Sequence, residues 1–335
     1  MNKKLRLALI GTGGIAGAHV RGLLALPDLI ECVALCDVSA ENLHRRNESL
    51  GGKVPVFHDW QQMLAVAGGT LDAVDICLPH HLHAPAILDA AAAGKHILCE
   101  KPLCLDLAEA DRIAAAVERA GILYMSAHNQ LFLPVVREAQ QLIAAGAIGA
   151  VRWIRSQDCF AANKETFRGK WRANAKLQGG GELIDTGYHP TYRLLHLAGA
   201  PVTGVRGTMG RFVQEIEGED TAAVQVRFAN GVIGEILTSW AFALPHGTHQ
   251  IHVIGEKGQL FGSQNELFLL PAGFNQPAQR HLPQVDTFTE QLRHFADCIR
   301  TGQRPLHSVA EGRAVLEVIL RAGQDAAGWQ ALAGR

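Results

Sequence analysis

The chain of 335 residues is long for one hydrophobic core and comfortable for two. Its 48% apolar and 19% charged residues make an ordinary globular balance that excludes wholesale disorder. A formal net charge of −1 sets up no global field for nucleic acid or an anionic membrane, so neither is expected as a partner.

The opening "NKKLR" followed by "LALIGTGGIAGAHV" loosely imitates a signal peptide, but four glycines and a histidine make a poor apolar segment. No stretch reaches the roughly 18–20 apolar residues of a membrane span. Cysteines 32, 36, 77, 99, 104, 159 and 298 are odd in number and include no C-x-x-C pair. They read as buried thiols in a reducing compartment, the cytoplasm.

Strands are predicted at 5–10, 30–36, 54–57, 73–78, 96–99 and 122–126, with helices between them. Asp59 with Gln62, and Asp106 with Glu109, have capping-box spacing, while Gly94 and Gly121 sit where helices should stop. Near-continuous apolar strands alternating with helices predict a parallel sheet covered on both faces.

The first strand runs into "GTGGIA", with Gly11, Gly13 and Ala16 in G-x-G-x-x-A register. Such a turn lets backbone approach a pyrophosphate and seats the phosphates on a helix N-terminus, so Gly11, Gly13, Gly14, Ile15 and Ala16 are candidate dinucleotide ligands. Asp37 ends the second strand at about the 20-residue spacing expected of the acid that binds the adenosine ribose. Its carboxylate would repel a 2′-phosphate, which favours NAD over NADP, although Arg45 and Arg46 follow on the next helix. In "CLPHHLHAP" the residues Leu78, Pro79, His80 and His83 should border the cofactor, since ligands bind beyond the carboxyl ends of such strands. The H-H-x-H spacing adjoins no carboxylate or cysteine cluster, so no metal is expected.

"HILCEKP" puts Glu100, Lys101 and Pro102 at the end of the fifth strand, on the same edge. An ammonium there could stabilise an oxyanion formed as hydride leaves; read alone, the three residues fit a surface salt bridge equally well. Further on, "GGGELIDTGYHPTY" is read as three glycines leading into a helix that carries Asp185 and His189 at i, i+4 on one face. Beside a dinucleotide site that pair supplies a proton acceptor and a group to orient it, since histidine titrates near working pH. On its own, the pair could equally be solvation of a helix face.

From about residue 150 the rhythm becomes that of an antiparallel sheet. Residues 221–240 read as a hairpin around Asn230-Gly231, with both turn residues at positive φ, and 249–262 as another around Gly258. The alternation puts Val224, Val226 and Phe228 on one face of the first hairpin. A helical region from 287 to 323 breaks at Gly302 and Pro305 and restarts at Ser308, with Glu311 completing a capping box.

Taken together, "GTGGIA", Asp37, "CLPHHLHAPAILDAAAAGKHILCEKP" and "GGGELIDTGYH" resemble the glucose–fructose oxidoreductase / inositol dehydrogenase / MocA (Gfo/Idh/MocA) family over essentially the whole chain. The resemblance implies a doubly wound NAD-binding Rossmann domain (1–126) and an α+β substrate and oligomerisation domain (127–335) with an open, largely antiparallel sheet. It implies the C-terminal helices packing back toward the first domain, and a homodimer or homotetramer formed through the sheet. It carries over Lys101, Asp185 and His189 as catalytic residues, with Glu100 and Lys101 against the cofactor. Substrate contacts are expected from Lys101, Asn129, Gln130, Phe160, Trp171, Asp185, His189 and Tyr192. Two departures bear on the substrate: Tyr192 stands where many members have aspartate, and Gln130-Leu131 replace basic or aromatic residues. They point to a neutral sugar, anhydrosugar or cyclitol. An NAD-dependent glycosidase using transient oxidation, a ketoreductase or dihydrodiol dehydrogenase, and a non-catalytic NAD-binding regulator are the alternatives.

Overall fold

The computed structural model describes residues 3–328. They form two compact units: one runs to Asn129 and takes in Asp286–Arg313, and the other comprises Gln130–Val285 and residues 314–328. Among the described residues no helix is long and apolar enough to cross a membrane.

The first unit holds six strands: β1 (Leu5–Ile10), β2 (Ile30–Cys36), β3 (Val56–Phe57), β4 (Ala73–Ile76), β5 (His96–Cys99) and β6 (Tyr124–Ser126). They lie in the order β3-β2-β1-β4-β5-β6, every neighbouring pair parallel. Helices α1 (Ala16–Leu24), α2 (Ala40–Ser49), α3 (Trp60–Ala67), α4 (His83–Ala92) and α5 (Leu107–Ala120) make the crossovers. Strand order reverses between β1 and β4, the switch point at which such sheets bind ligands. Leu7–Ile10 and Ala73–Ile76 are fully buried, which is why these stretches read as apolar runs, Asp75 apart. The expected caps form: Asp59 accepts from Gln62 N, Asp106 accepts from Glu109 N, and α5 stops at Gly121 with φ 62°.

The second unit begins with α6 (Pro134–Ala144) and contains β7 (Val151–Cys159), α7 (Ala175–Gln178), α8 (Tyr188–Ala198), β8 (Val202–Gly210), β9 (Thr221–Phe228), β10 (Ile233–Ser239), β11 (Ile251–Gly255), β12 (Gly258–Ser263), β13 (Glu266–Pro271) and β14 (Ala278–His281). The eight strands lie in the order β14-β13-β12-β11-β7-β10-β9-β8. All neighbours are antiparallel except β7 and β10. Helices α6 and α8 pack on one face. Val224, Val226 and Phe228 are buried there, and Ala223, Gln225 and Arg227 are exposed on the other. Strands β7, β8, β13 and β14 escape sequence reading: arginine, serine or glycine interrupts the alternation of β7 and β8, β13 is a short unalternating apolar run ending at Pro271, and all four residues of β14 are exposed. Helix α9 (Thr287–Thr301) packs on α1 in the first unit, and α10 (Val309–Ala327) follows the Ser308–Glu311 capping box.

Two local expectations are corrected. Between β9 and β10 only Gly231 takes positive φ (84°), not Asn230. Phe228 N donates to Val232 O and Gly231 N to Phe228 O, so the loop has three residues, with glycine alone in the left-handed position. The predicted helix carrying both Asp185 and His189 starts only at Tyr188, which leaves Asp185 in the preceding turns. There Gly187 N bonds Glu182 O, a wider closure than an α-turn, and Glu219 takes the N–H groups of Glu182 and Leu183.

Candidate active site

At the carboxyl edge of the parallel sheet, Gly11 has φ 89°, and a Cβ on it would lie 2.4 Å from Cys77 O. The turn after β1 can therefore press against β4 only without a side chain. A Cβ on Gly13 or Gly14 would meet nothing within 4 Å, so the turn leaves open space beside the α1 N-terminus. Asp37 holds this turn: Oδ2 accepts Thr12 N (2.6 Å) and Thr12 Oγ1 (3.0 Å), and Oδ1 accepts Ser39 N (2.8 Å). Three bonds leave a carboxylate about one further accepting site, which suits a ribose hydroxyl. Arg46 lies on this same turn, donating to Thr12 O (3.3 Å) and Gly13 O (2.8 Å), and Arg45 donates to Asn42 Oδ1. The open turn and the placed acid fit a dinucleotide.

His80 is buried, with its ring 5.9 Å from that of His83. His83 is fully buried between two carbonyls, Nδ1 at 2.6 Å from Pro102 O and Nε2 at 2.9 Å from Leu78 O. Burial pushes its pKa down, and a neutral ring has a single N–H: the shorter contact fits Nδ1–H donating to Pro102 O, with Nε2 turned to the end of β4, so neither nitrogen is presented to a ligand. Lys101 follows β5, half-buried, between Glu100 and a cis-linked Pro102. Its N–H lies 3.2 Å from Glu100 Oε2. In the same unit Asn129 donates to Thr287 Oγ1 (3.0 Å).

In the second unit, Asp185 Oδ2 accepts Arg172 Nε at 2.8 Å, and the Arg172 guanidinium lies 4.3 Å over the Trp171 ring. His189 Nδ1 lies 2.7 Å from the phenol oxygen of fully buried Tyr192, and Gln130 N donates to that same oxygen (3.1 Å). Tyr192 thus lies against the histidine ring, and Asp185 pairs with Arg172. Gln130 Oε1 accepts from Arg193, a fully buried arginine that also donates to Gln157 O (3.0 Å). Phe160 is 41% exposed, the most open of the candidate aromatics. Beneath this group Glu182 is fully buried, with Oε1 2.5 Å from Thr238 Oγ1, whose hydroxyl also faces Asp158 O (3.1 Å). Burial holds its carboxyl well above the usual range, which favours the protonated form.

Thr12, His19, Arg172 and Glu182 are absent from the sequence-derived candidates. Only Thr12 had a local signal, its place inside the glycine turn. Ligand atoms of His19, Asp75 and Cys77 converge within 4.8 Å, the spacing of a metal group, but both ring nitrogens of His19 face carboxylates. A metal would need one of those nitrogens as a bare lone pair.

A nucleotide-binding edge on a parallel sheet, joined to a second unit with an open mixed sheet, defines the class of two-domain Rossmann oxidoreductases. The chain belongs to the Gfo/Idh/MocA family: residues 5–128 match its NAD-binding Rossmann-fold oxidoreductase domain and residues 136–261 its C-terminal domain. It is 26% identical over 325 residues to myo-inositol 2-dehydrogenase of Thermotoga maritima, covering 93% of each chain. To scyllo-inositol 2-dehydrogenase (NAD(+)) of Bacillus subtilis it is 26% identical over 334 residues, covering 95% of this chain and 93% of the relative. Among solved structures, aldose-aldose oxidoreductase from Caulobacter crescentus complexed with glycerol superposes with a TM-score of 0.86 at 26% identity, covering 97% and 98% of the two chains.

Proposed function

We propose that this oxidoreductase is an NAD-dependent dehydrogenase that oxidises a secondary hydroxyl of a neutral sugar, anhydrosugar or cyclitol. The observation that carries the reading is one edge of one sheet: the glycine turn, Asp37 and Lys101 all follow carboxyl ends of parallel strands. An ammonium beside a dinucleotide cradle can stabilise the oxyanion that forms as hydride leaves a carbon bearing oxygen.

In this reading the first unit binds the cofactor, with Gly11, Gly13, Gly14, Ile15 and Ala16 against the phosphates and Asp37 on the ribose. When bound, nicotinamide supplies the hydride acceptor. His189 takes the hydroxyl proton at Nε2 while Nδ1–H donates to the Tyr192 oxygen, and Lys101 stabilises the developing oxyanion. The carbon loses hydride, the oxygen loses a proton, and the product is a ketone or lactone. Asp185, held by Arg172, orients substrate, and Trp171 and Phe160 offer apolar ring faces to a sugar. Asp37 supports NAD over NADP. Seven thiols without a disulfide support a reducing cytoplasm.

The outer sheet face supports assembly into a homodimer or homotetramer. Trp153, His252, Phe261 and Phe268 form a half-buried aromatic run across β7, β11, β12 and β13, with the Phe261 and Phe268 rings stacked at 5.3 Å.

The test is NADH formation from NAD over a panel of neutral sugars, anhydrosugars and cyclitols, for wild type and Lys101→Ala. The expected result is stoichiometric NADH with at least one class, falling roughly 100-fold or more in the variant. Release of free sugar from a nitrophenyl glycoside without net NADH would replace this reading with the glycosidase. Silence of both assays with NADH binding intact would replace it with a regulator.

A further inference from the structure

Helix α1 leaves the glycine turn and carries His19 into the interior, where its side chain is fully buried. Nδ1 lies 2.7 Å from Asp75 Oδ2, in β4, and Nε2 lies 3.1 Å from Glu100 Oε1, at the end of β5. Both carboxylates are buried. A neutral imidazole has one N–H and one lone pair, so it can satisfy only one of these oxygens and turns its lone pair on the other. An imidazolium donates to both and offsets part of two buried negative charges, which would otherwise be costly. Burial alone disfavours the charged ring, but the charge and hydrogen bond of Asp75 outweigh it and hold the pKa of His19 well above its ordinary value. The other neighbours are Cys77, just after β4, whose thiol burial pushes up to about 12, and Phe288 of α9, its ring 5.3 Å away.

The cluster does not end at Glu100. While Oε1 faces His19, Oε2 lies 3.2 Å from the backbone N–H of Lys101. One residue further, Pro102 O is held by His83. The turn presenting Lys101 is therefore gripped on both sides of the lysine.

We propose that His19 is a positioning residue: an imidazolium clamped between Asp75 and Glu100 that fixes the Glu100 carboxylate and, through it, the turn that presents Lys101. The functional consequence rests on the role given to Lys101 above. Nothing in the clamp requires His19 to touch substrate or cofactor.

Two substitutions separate its two bonds. In His19→Gln the side-chain amide nitrogen falls near the position of Nε2 and keeps a donor toward Glu100. In His19→Asn it falls near Nδ1 and keeps a donor only toward Asp75. Nitrogen-15 NMR of the wild-type ring, amide exchange at Lys101 and steady-state kinetics are measured together, with thermal melts as the control for folding. Both ring nitrogens should carry protons at mildly alkaline pH. The Lys101 amide should exchange faster in His19→Asn than in His19→Gln. By the cost of a misplaced catalytic group, kcat should fall roughly 10–100-fold in His19→Asn, with a smaller fall in His19→Gln. Glu100→Gln should reproduce the His19→Asn defect, and the double variant should be no worse than either single.

A bare ring nitrogen in the wild type overturns the proposal, as does a folded His19→Asn with wild-type Lys101 exchange and kcat. If His19→Asn does not fold, the ring spectrum and the Lys101 exchange of Asp75→Asn and Glu100→Gln decide. The NMR and exchange readouts need no substrate, so they fail or succeed independently of the dehydrogenase reading.

Discussion

Tyr192 and Asp37 show how far a single side chain can be read in isolation. Tyr192 is flagged in the sequence as a substrate contact, yet its phenol is buried and bonded to His189 Nδ1 and Gln130 N. Tyr192→Phe removes one oxygen, takes a partner from two half-buried polar groups, and should cost about 1 kcal/mol of stability. With the imidazole less well held, kcat should fall about tenfold and the acidic limb of its pH profile should move, whereas a purely packing role would leave that limb in place. Asp37 was legible because its cue is a spacing along the chain. Asp37→Ala should raise KM for NAD more than it lowers kcat, because the ribose bond is the same in ground and transition state; initial-rate kinetics with NAD and NADP check this. His19 was not legible, since its partners lie 56 and 81 residues away and only folding brings them to its ring.

For the elements, apolar rhythm and capping residues carried most of the information in the parallel unit. β1, β2 and β5 lie where the sequence predicts them, because their carboxyl-terminal parts are buried apolar runs, with Arg6, Glu31 and His96 confined to the more exposed starts. The turn after β1 is the least tolerant segment. Gly11→Ala would place a Cβ against Cys77 O in a left-handed backbone, and the strain plus overpacking should cost about 3 kcal/mol or more, read from a denaturant midpoint. By contrast Asp106→Ala removes one cap from α5 and should cost about 1 kcal/mol. In the second unit the rhythm misled. Asp185 and His189 have helical spacing, but the backbone of 182–187 bonds to Glu219 and across Gly187, contacts that no local pattern announces.

At the scale of the molecule, two carboxyls give stability opposite dependences on pH. Arg6 binds Asp72 through its guanidinium, and this hydrogen bond holds the Asp72 pKa down at about 2. Its contribution is present above the unfolded value and is lost as pH falls from about 4 toward 2. Glu182 is the reverse, since burial raises its pKa. Its contribution is complete below an unfolded value of about 4.3 and declines as pH rises toward the elevated folded value. Glu182→Gln keeps a neutral group at the Thr238 hydroxyl and removes the titration. The melting temperature of that variant should fall less steeply than wild type toward alkaline pH, and equal slopes would mean that Glu182 is already ionised.

The sequence by itself determined what depends on neighbours along the chain: the βα alternation, the glycine turn, the acid after β2, the helix caps and the Glu100-Lys101-Pro102 turn. These follow from backbone sterics, side-chain periodicity and hydrogen bonds within a few residues. Tertiary structure alone decided which group each polar side chain serves: Arg172 for Asp185, Tyr192 for His189, the Pro102 carbonyl for His83, and two carboxylates for His19. Inside a core the cost of an unpaired polar atom is high, so the partner is whatever the packing brings within hydrogen-bonding distance.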